Sequence, residues 1–281
     1  MKTLKLHKSL LATAVGAVLA LGMVTNASAV VIPQFQFDPN FDGNTSNALY
    51  ATYLNGNSSE RLLSNNVANT LSTASGATGW FNLTSYYNDG PLGTTGSILP
   101  GVSGLGVNYQ LYLTYTLEAT LIGGTLGAPG STYNITDLNF NVYRDDGLNT
   151  LFASATNAVD ATVTGNSTDV LLGTGNIILG VADLNLAGGA GINTLASYAN
   201  TAAGNLYFVD PVPFYTLAFT ALNNTTQGVN RVGDCTTVSG CTLAINAGGI
   251  ADFNGVPEPT TVALLGLGLL GLGLSRRRKD A

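Results

Sequence analysis

Residues 109–118 alternate with a period of two. Tyr109, Leu111, Leu113, Tyr115 and Leu117 fall on one side, and Gln110, Thr114, Thr116 and Glu118 on the other. Alternation rich in Tyr and Thr predicts a half-buried strand. Leu138, Phe140 and Val142 alternate with Asn139, Asn141 and Tyr143 in the same way, as do Tyr215, Leu217 and Phe219 with Thr216, Ala218 and Thr220. Turn-forming clusters punctuate these runs: Asn88-Asp89-Gly90-Pro91, Ala128-Pro129-Gly130, Asp145-Asp146-Gly147 and Gly188-Gly189. Strands separated by such turns predict an all-β fold, a single jelly-roll-like β-sandwich over residues 30–255. A short helix fits residues 59–67 or 191–201. No fixed-period repeat and no linker divides this stretch.

The two ends follow other rules. Met1 to Lys8 is basic, Ser9 to Met23 is apolar, and Ala27-Ser28-Ala29 is a small-residue cleavage site. That order predicts a secretory signal peptide over residues 1–29, forming a signal helix and cut by signal peptidase after Ala29. The alternative, an uncleaved anchor, conflicts with an apolar run shorter than the ~20 residues that span a bilayer. Residues 256–281 begin Val256-Pro257-Glu258-Pro259, continue as an apolar stretch from Thr260 to Leu274, and finish on Arg276, Arg277, Arg278 and Lys279. The stretch is short for a membrane helix unless its arginines snorkel to the interface. The basic cluster stops transfer and stays on the cytoplasmic side.

Charge sharpens the picture. The chain carries a formal −6, but seven of its ten Lys and Arg lie in the two ends. Between Val30 and Val256 only Arg61, Arg144 and Arg231 remain, against fourteen Asp and Glu, so this part carries 3 − 14 = −11. Such a surface repels nucleic acid and anionic lipid. The only histidine is His7, and the middle has no lysine. Ser-His-Asp and Cys-His catalysis, imidazole-ligated metals and lysine Schiff bases are thereby excluded. Paired carboxylates stay available, so a glycoside hydrolase is the one enzymatic alternative to a non-enzymatic protein without cofactor.

Three local features carry candidate chemistry. Cys235 and Cys241 lie close together in an exported chain, which predicts a disulfide; a free thiol pair is the alternative, with no nearby base to activate it. Asp38-Pro39-Asn40-Phe41-Asp42-Gly43 matches the first half of a calcium loop, with Asp38, Asn40 and Asp42 as ligands. Its twelfth position is Leu49 where an EF-hand needs Glu, so the choice lies between a partial calcium site and an Asx turn after the first strand. Trp80-Phe81 and Tyr86-Tyr87 either pack in the core or stack on sugar rings.

Pro257-Glu258-Pro259, the Gly/Leu-rich segment and the Arg cluster together resemble the PEP-CTERM sorting signal of Gram-negative, exopolysaccharide-producing bacteria. The resemblance implies transient inner-membrane association and cleavage near the motif by an exosortase, a membrane-embedded cysteine transpeptidase. A second resemblance is spread over the middle: Val31 to Pro39, Asn108 to Tyr112, and Phe253 to Pro257 look like the flocculation-associated PEP-CTERM proteins. It implies an exported surface or matrix protein that works with exopolysaccharide in flocs or biofilm. A calcium-assisted carbohydrate-binding module is the alternative within the same compartment.

Overall fold

The computed structural model describes residues 33–224 and 229–254. The expected signal peptide with Ala27 and Ala29, the sorting residues Val256, Pro257, Glu258 and Pro259, the basic Arg276 to Lys279, and both expected terminal helices lie outside them.

The described chain is mostly strand: β1 Phe35–Phe37, β2 Leu49–Ala51, β3 Tyr53–Asn65, β4 Thr70–Thr73, β5 Gly79–Asn88, β6 Gly96–Ile98, β7 Gln110–Gly123, β8 Thr132–Asp145, β9 Leu151–Ala153, β10 Thr162–Thr164, β11 Val170–Leu184, β12 Ala190–Ser197, β13 Ala199–Asn200, β14 Phe208–Asp210, β15 Leu217–Asn224, β16 Asn230–Gly233 and β17 Cys241–Asn254. The expectation of an all-β fold with large antiparallel sheets is met. Residues 59–67 and 191–201 form no helix. Most of the first is the second half of β3, and most of the second is β12, where Ile192, Thr194 and Ala196 turn inward at every other position.

The jelly-roll connectivity is corrected. A jelly roll crosses between two Greek keys. Here the long strands pair in chain order, with short turns joining β3 to β4, β7 to β8 and β11 to β12 and longer connections returning to the next lane elsewhere. β4 and β5 share one lane, β5 along the first part of β3 (Tyr53↔Tyr87) and β4 along the rest (Asn65↔Thr70). From there the order runs β7, β8, β11, β12, β15, β17. The circuit then closes, because β17 pairs its other edge with β3, from Thr242↔Leu63 to Asp252↔Tyr53. The sheet is therefore a closed antiparallel barrel, whose lanes are β3, β4 with β5, β7, β8, β11, β12, β15 and β17.

Its interior is apolar and aromatic. Leu111, Leu113, Tyr115 and Leu117 of β7 and Leu138, Phe140 and Val142 of β8 are buried, as their alternation predicts. β15 runs in the opposite phase to the sequence expectation: Ala218 is buried and Leu217 only half-buried. Ala218 sits opposite Phe253, and Phe253 packs with Phe35, Phe208 and Phe214 at ring distances of 5.4, 5.0 and 5.1 Å. That ring cluster fills the volume, so the inward position of β15 is small.

Rings elsewhere are admitted by glycine. Gly79 stands opposite Tyr115, and a β-carbon there meets the ring at 2.5 Å. Gly175 stands opposite Phe140, and its β-carbon meets that ring and the Ser197 carbonyl, both at 2.2 Å. The missing side chains are the space in which the rings lie.

The wall carries an outer annex. The β9–β10 hairpin covers Trp80, which packs with Ala155, Ala161 and Ala244 and donates Nε1–H to Ala153 O at 2.9 Å. Arg61 pairs with Asp160 at 2.7 Å, and Ser59 Oγ accepts from Ala155 N. Phe81 and Tyr86 are interior, while Tyr87 stacks on Tyr53 at 5.0 Å. The core reading of these aromatics holds for Trp80, Phe81 and Tyr86.

Register also orients the barrel. Leu217↔Asn254 and Asp252↔Tyr53 put the last described residues at the end where β2 enters β3. A small sheet of β14, β1 and β2 lies at that end. The opposite end holds the turns after β3, β7 and β11 and the loop before β17.

The glycine–ring fit generates a test. Gly175→Ala inserts one methyl where Phe140 and the Ser197 carbonyl leave no room, so chemical denaturation should show a loss of about 1–3 kcal/mol. Unchanged stability would mean that the ring is not fixed over the glycine.

Candidate functional site

Asp38 follows β1 directly and is fully buried. Its Oδ1 accepts from Asn40 N at 2.9 Å, and its Oδ2 from Asp42 N at 2.9 Å, Gly43 N at 2.9 Å and Asn44 N at 3.3 Å. A carboxylate has about four acceptor positions. Three of the N–H donors converge on Oδ2, and Oδ1 accepts only one. This is the Asx-turn geometry, with Asn40 and Asp42 exposed at its rim. Among the described residues no three Asp, Glu, His or Cys converge as metal ligands.

The acidic turn after β8 repeats the device. Asp145 Oδ1 accepts from Gly147 N at 2.7 Å, and Oδ2 from Asn149 N and Thr150 N, both at 2.9 Å. The fourth residue of each loop takes a positive φ, 61° at Phe41 and 53° at Leu148. Burial raises the pKa of both aspartates, but the N–H donors outweigh it and leave both carboxyls below their ordinary value.

Arg144 ties the two loops together. It is buried, pairs through Nε with Asp146 Oδ1 at 2.7 Å, and donates Nη2–H to Pro39 O at 3.2 Å. Its guanidinium lies 4.0 Å from the Tyr109 ring centre and 4.7 Å from that of Phe41. Beneath it the Tyr207 hydroxyl donates to Tyr109 at 2.8 Å and bonds to Tyr86, and Tyr109 donates to Ser103 O at 2.9 Å. Burial pushes the Tyr86 and Tyr207 hydroxyls well up, so they stay neutral. The end from which the chain leaves is thus a buried polar cap, in which Arg144 Nη1 is left without a partner.

The remaining acids are dispersed. Glu60 points into the barrel, 1% exposed, with Oε2 unbonded. Burial pushes its pKa up to about 7, partly offset by the Tyr115 hydroxyl. The alternation of β3 placed Glu60 inside, and a lone acidic letter within a Ser/Leu run gave no warning. Glu118 and Asp137 oppose each other on the outer face of β7 and β8. Each is already engaged, Glu118 by the Thr136 hydroxyl at 3.2 Å and Asp137 by the Asn139 amide at 2.8 Å.

Cys235 and Cys241 form a disulfide with both residues buried. The bond packs against the turn after β7: a β-carbon on Gly127 would stand 2.1 Å from Cys235 Sγ, and Gly127 has φ 66°. Arg231 Nη1 donates to Gly127 O at 3.0 Å, and Asn66 Nδ2 to Thr236 O at 3.4 Å. The bridge thus locks the loops opposite the end from which the chain leaves.

Two measurements check these assignments. Glu60 has a raised folded pKa, so its contribution is full below its ordinary value near 4.5 and is lost as pH rises to about 7. Glu60→Gln should flatten that slope and add roughly 3 kcal/mol above pH 7. Thermal melts with the same slope in both proteins would place the carboxylate in solvent. Asp38 and Asp145 act oppositely, and their contribution is lost as pH falls below about 4. Reduction of the disulfide should cost about 2–3 kcal/mol in the chain-entropy model, and two titratable thiols before reduction would contradict the bridge.

No curated protein and no solved structure matches the chain. A family model does: the PEP-CTERM protein-sorting motif matches residues 255–279. The motif starts at the residue after β17, so no linker separates signal from barrel. It indicates export across the inner membrane and attachment to the cell envelope. The chain carries a PEP-CTERM protein-sorting motif at residues 255–279, which implies an exported, exosortase-processed protein.

Proposed function

We propose that the protein is a non-enzymatic component of the cell surface or extracellular matrix, released or transferred by exosortase, that promotes floc or biofilm formation with exopolysaccharide. The observation that carries this reading is the position of the sorting motif. β17 ends at Asn254 and the motif begins at residue 255, so cleavage there removes the tail without taking a strand from the barrel. The product is a complete β-barrel with a net −11 between Val30 and Val256. Such units stay soluble and repel one another, so they need a third component to join them. Polysaccharide is the component that a surface rich in Asn, Thr and Ser can hydrogen-bond.

Calcium assistance at Asp38, Asn40 and Asp42 is checked by thermal melting with millimolar calcium, and an unchanged melting temperature would sink it. Carboxylate-dependent hydrolysis is checked by incubating the exported protein with the cells' polysaccharide. No new reducing ends are expected, and their appearance would overturn the non-enzymatic reading.

Pro257 and Pro259 remove two backbone donors and keep the segment extended, while Glu258 marks it with charge. Replacing Glu258 with Ala, or Arg276 to Arg278 with neutral residues, should therefore leave the protein uncleaved and cell-associated with an unchanged barrel. The measurement is the fraction of trimmed protein in the medium. Normal trimming in both variants would reduce the tail to a plain anchor. Deleting the gene should abolish flocculation, and undiminished flocs would sink the matrix role.

A further inference from the structure

The outer wall over β7, β8 and β11 carries two cross-strand rows. Register aligns Thr114 with Asn141 and Asn141 with Thr174, then Thr116 with Asn139 and Asn139 with Asn176. The rows line a groove of about 370 Å³ that contains no ionisable side chain other than Tyr115, whose ring turns into the barrel. Among the described residues, Thr114, Thr116, Asn141 and Thr174 make no side-chain hydrogen bond within the protein. Asn176 bonds to Asn139, which in turn donates to Asp137. Four hydroxyl or amide groups therefore face one groove with their bonding capacity unused except by solvent.

A backbone irregularity creates this surface. β11 shifts register against β8 between Leu171 and Gly173. Leu172 is buried, so strict alternation would turn Thr174 inward too. The bulge resets the phase, burying Gly175 and turning Thr174 and Asn176 out beside Asn141 and Asn139. Bulges re-aim side chains in this way at functional surfaces.

The groove has a defined chemistry. Neighbouring strands stand about 4.8 Å apart, close to the length of one sugar unit, so a chain laid across the strands meets one member of a row per sugar. Hydroxyls and carboxamides both donate and accept, as sugar hydroxyls do. Next to the groove along the strands Tyr112 and Tyr143 stack at 5.3 Å, with Tyr112 fully buried and its hydroxyl on Asp169. The other end is acidic, with Glu118 and Asp137. No arginine lines the groove to hold an anion.

We propose that this groove binds an uncharged polysaccharide laid across the β7–β8–β11 wall, with Thr114, Asn141 and Thr174 as the principal hydrogen-bonding row. The assignment rests on the matrix reading and gives it a surface and a ligand class.

The test separates the cells' own exopolysaccharide into neutral and acidic fractions by anion exchange, and casts each into native gels. Exported, trimmed protein should be retarded by the neutral fraction and not by the acidic one. Thr114→Val with Thr174→Val keeps the branched shape and removes only two hydroxyls, so the melting temperature should hold while affinity falls roughly tenfold. Equal retardation of the double variant overturns the groove, as does binding to the acidic fraction alone or to neither. The two readings fail separately. If gene deletion abolishes flocs and the double variant restores them fully, the groove falls and the matrix role stands. If deletion leaves flocs intact, the matrix role itself falls.

Discussion

An antiparallel sheet normally ends in two rows of unpaired N–H and C=O groups, and this protein depends on having joined those rows to each other. β17 does so by pairing with β15 and β16 on one edge and β3 on the other. Every long strand then has two neighbours, and the apolar faces have only one place to go. The closed interior sets a fixed volume, which is why rings such as Phe140 and Tyr115 need a glycine across the ladder. It also imprisons Glu60, whose neutral form suits the interior and whose charged form does not.

The parts legible in sequence were those governed by nearest neighbours along the chain. Alternation over 109–118 and around Phe140 gave the correct inward faces, and the turn clusters fell between strands. Ring closure was illegible, because it joins residues such as Thr242 and Leu63 with no local signature. The phase of β15 was misread for a related reason: only the phenylalanines contributed from distant strands explain why Ala218 is the inward residue. The Asp38 loop shows another limit. Letters that spell a row of oxygen ligands also spell an Asx turn, and which N–H groups meet Asp38 is fixed only by the folded loop. The bulge that turns Thr174 outward shows only in the ladder register, although Thr and Asn at 114, 116, 139 and 141 were visible as a polar face.

The distribution of chemistry between the two faces bears on function. A barrel embedded in lipid carries an apolar outer band around a polar lumen. This wall is the reverse, with Thr, Asn, Glu118 and Asp137 outside β7 and β8 and Leu, Phe and Tyr within. Over β7 and β8 the wall is therefore built to meet water, while β11 beside it exposes Ile178, Leu179 and Val181. Rigidity is concentrated at the two ends, through Arg144 over its rings and through the disulfide, leaving the wall between them as a broad surface of uncharged groups.

The closing strand is also the last part of the barrel to be synthesised, and the sorting motif follows it at once. A chain exported from its N-terminus must wait for β17 before β3 can find its second partner. Until then both margins of the growing sheet are open to mispairing with other chains, and the contact that removes them is among the most distant in sequence. Closure of the barrel is therefore a late event in the life of the chain, and a truncation that removes β17 would leave both margins exposed along their whole length.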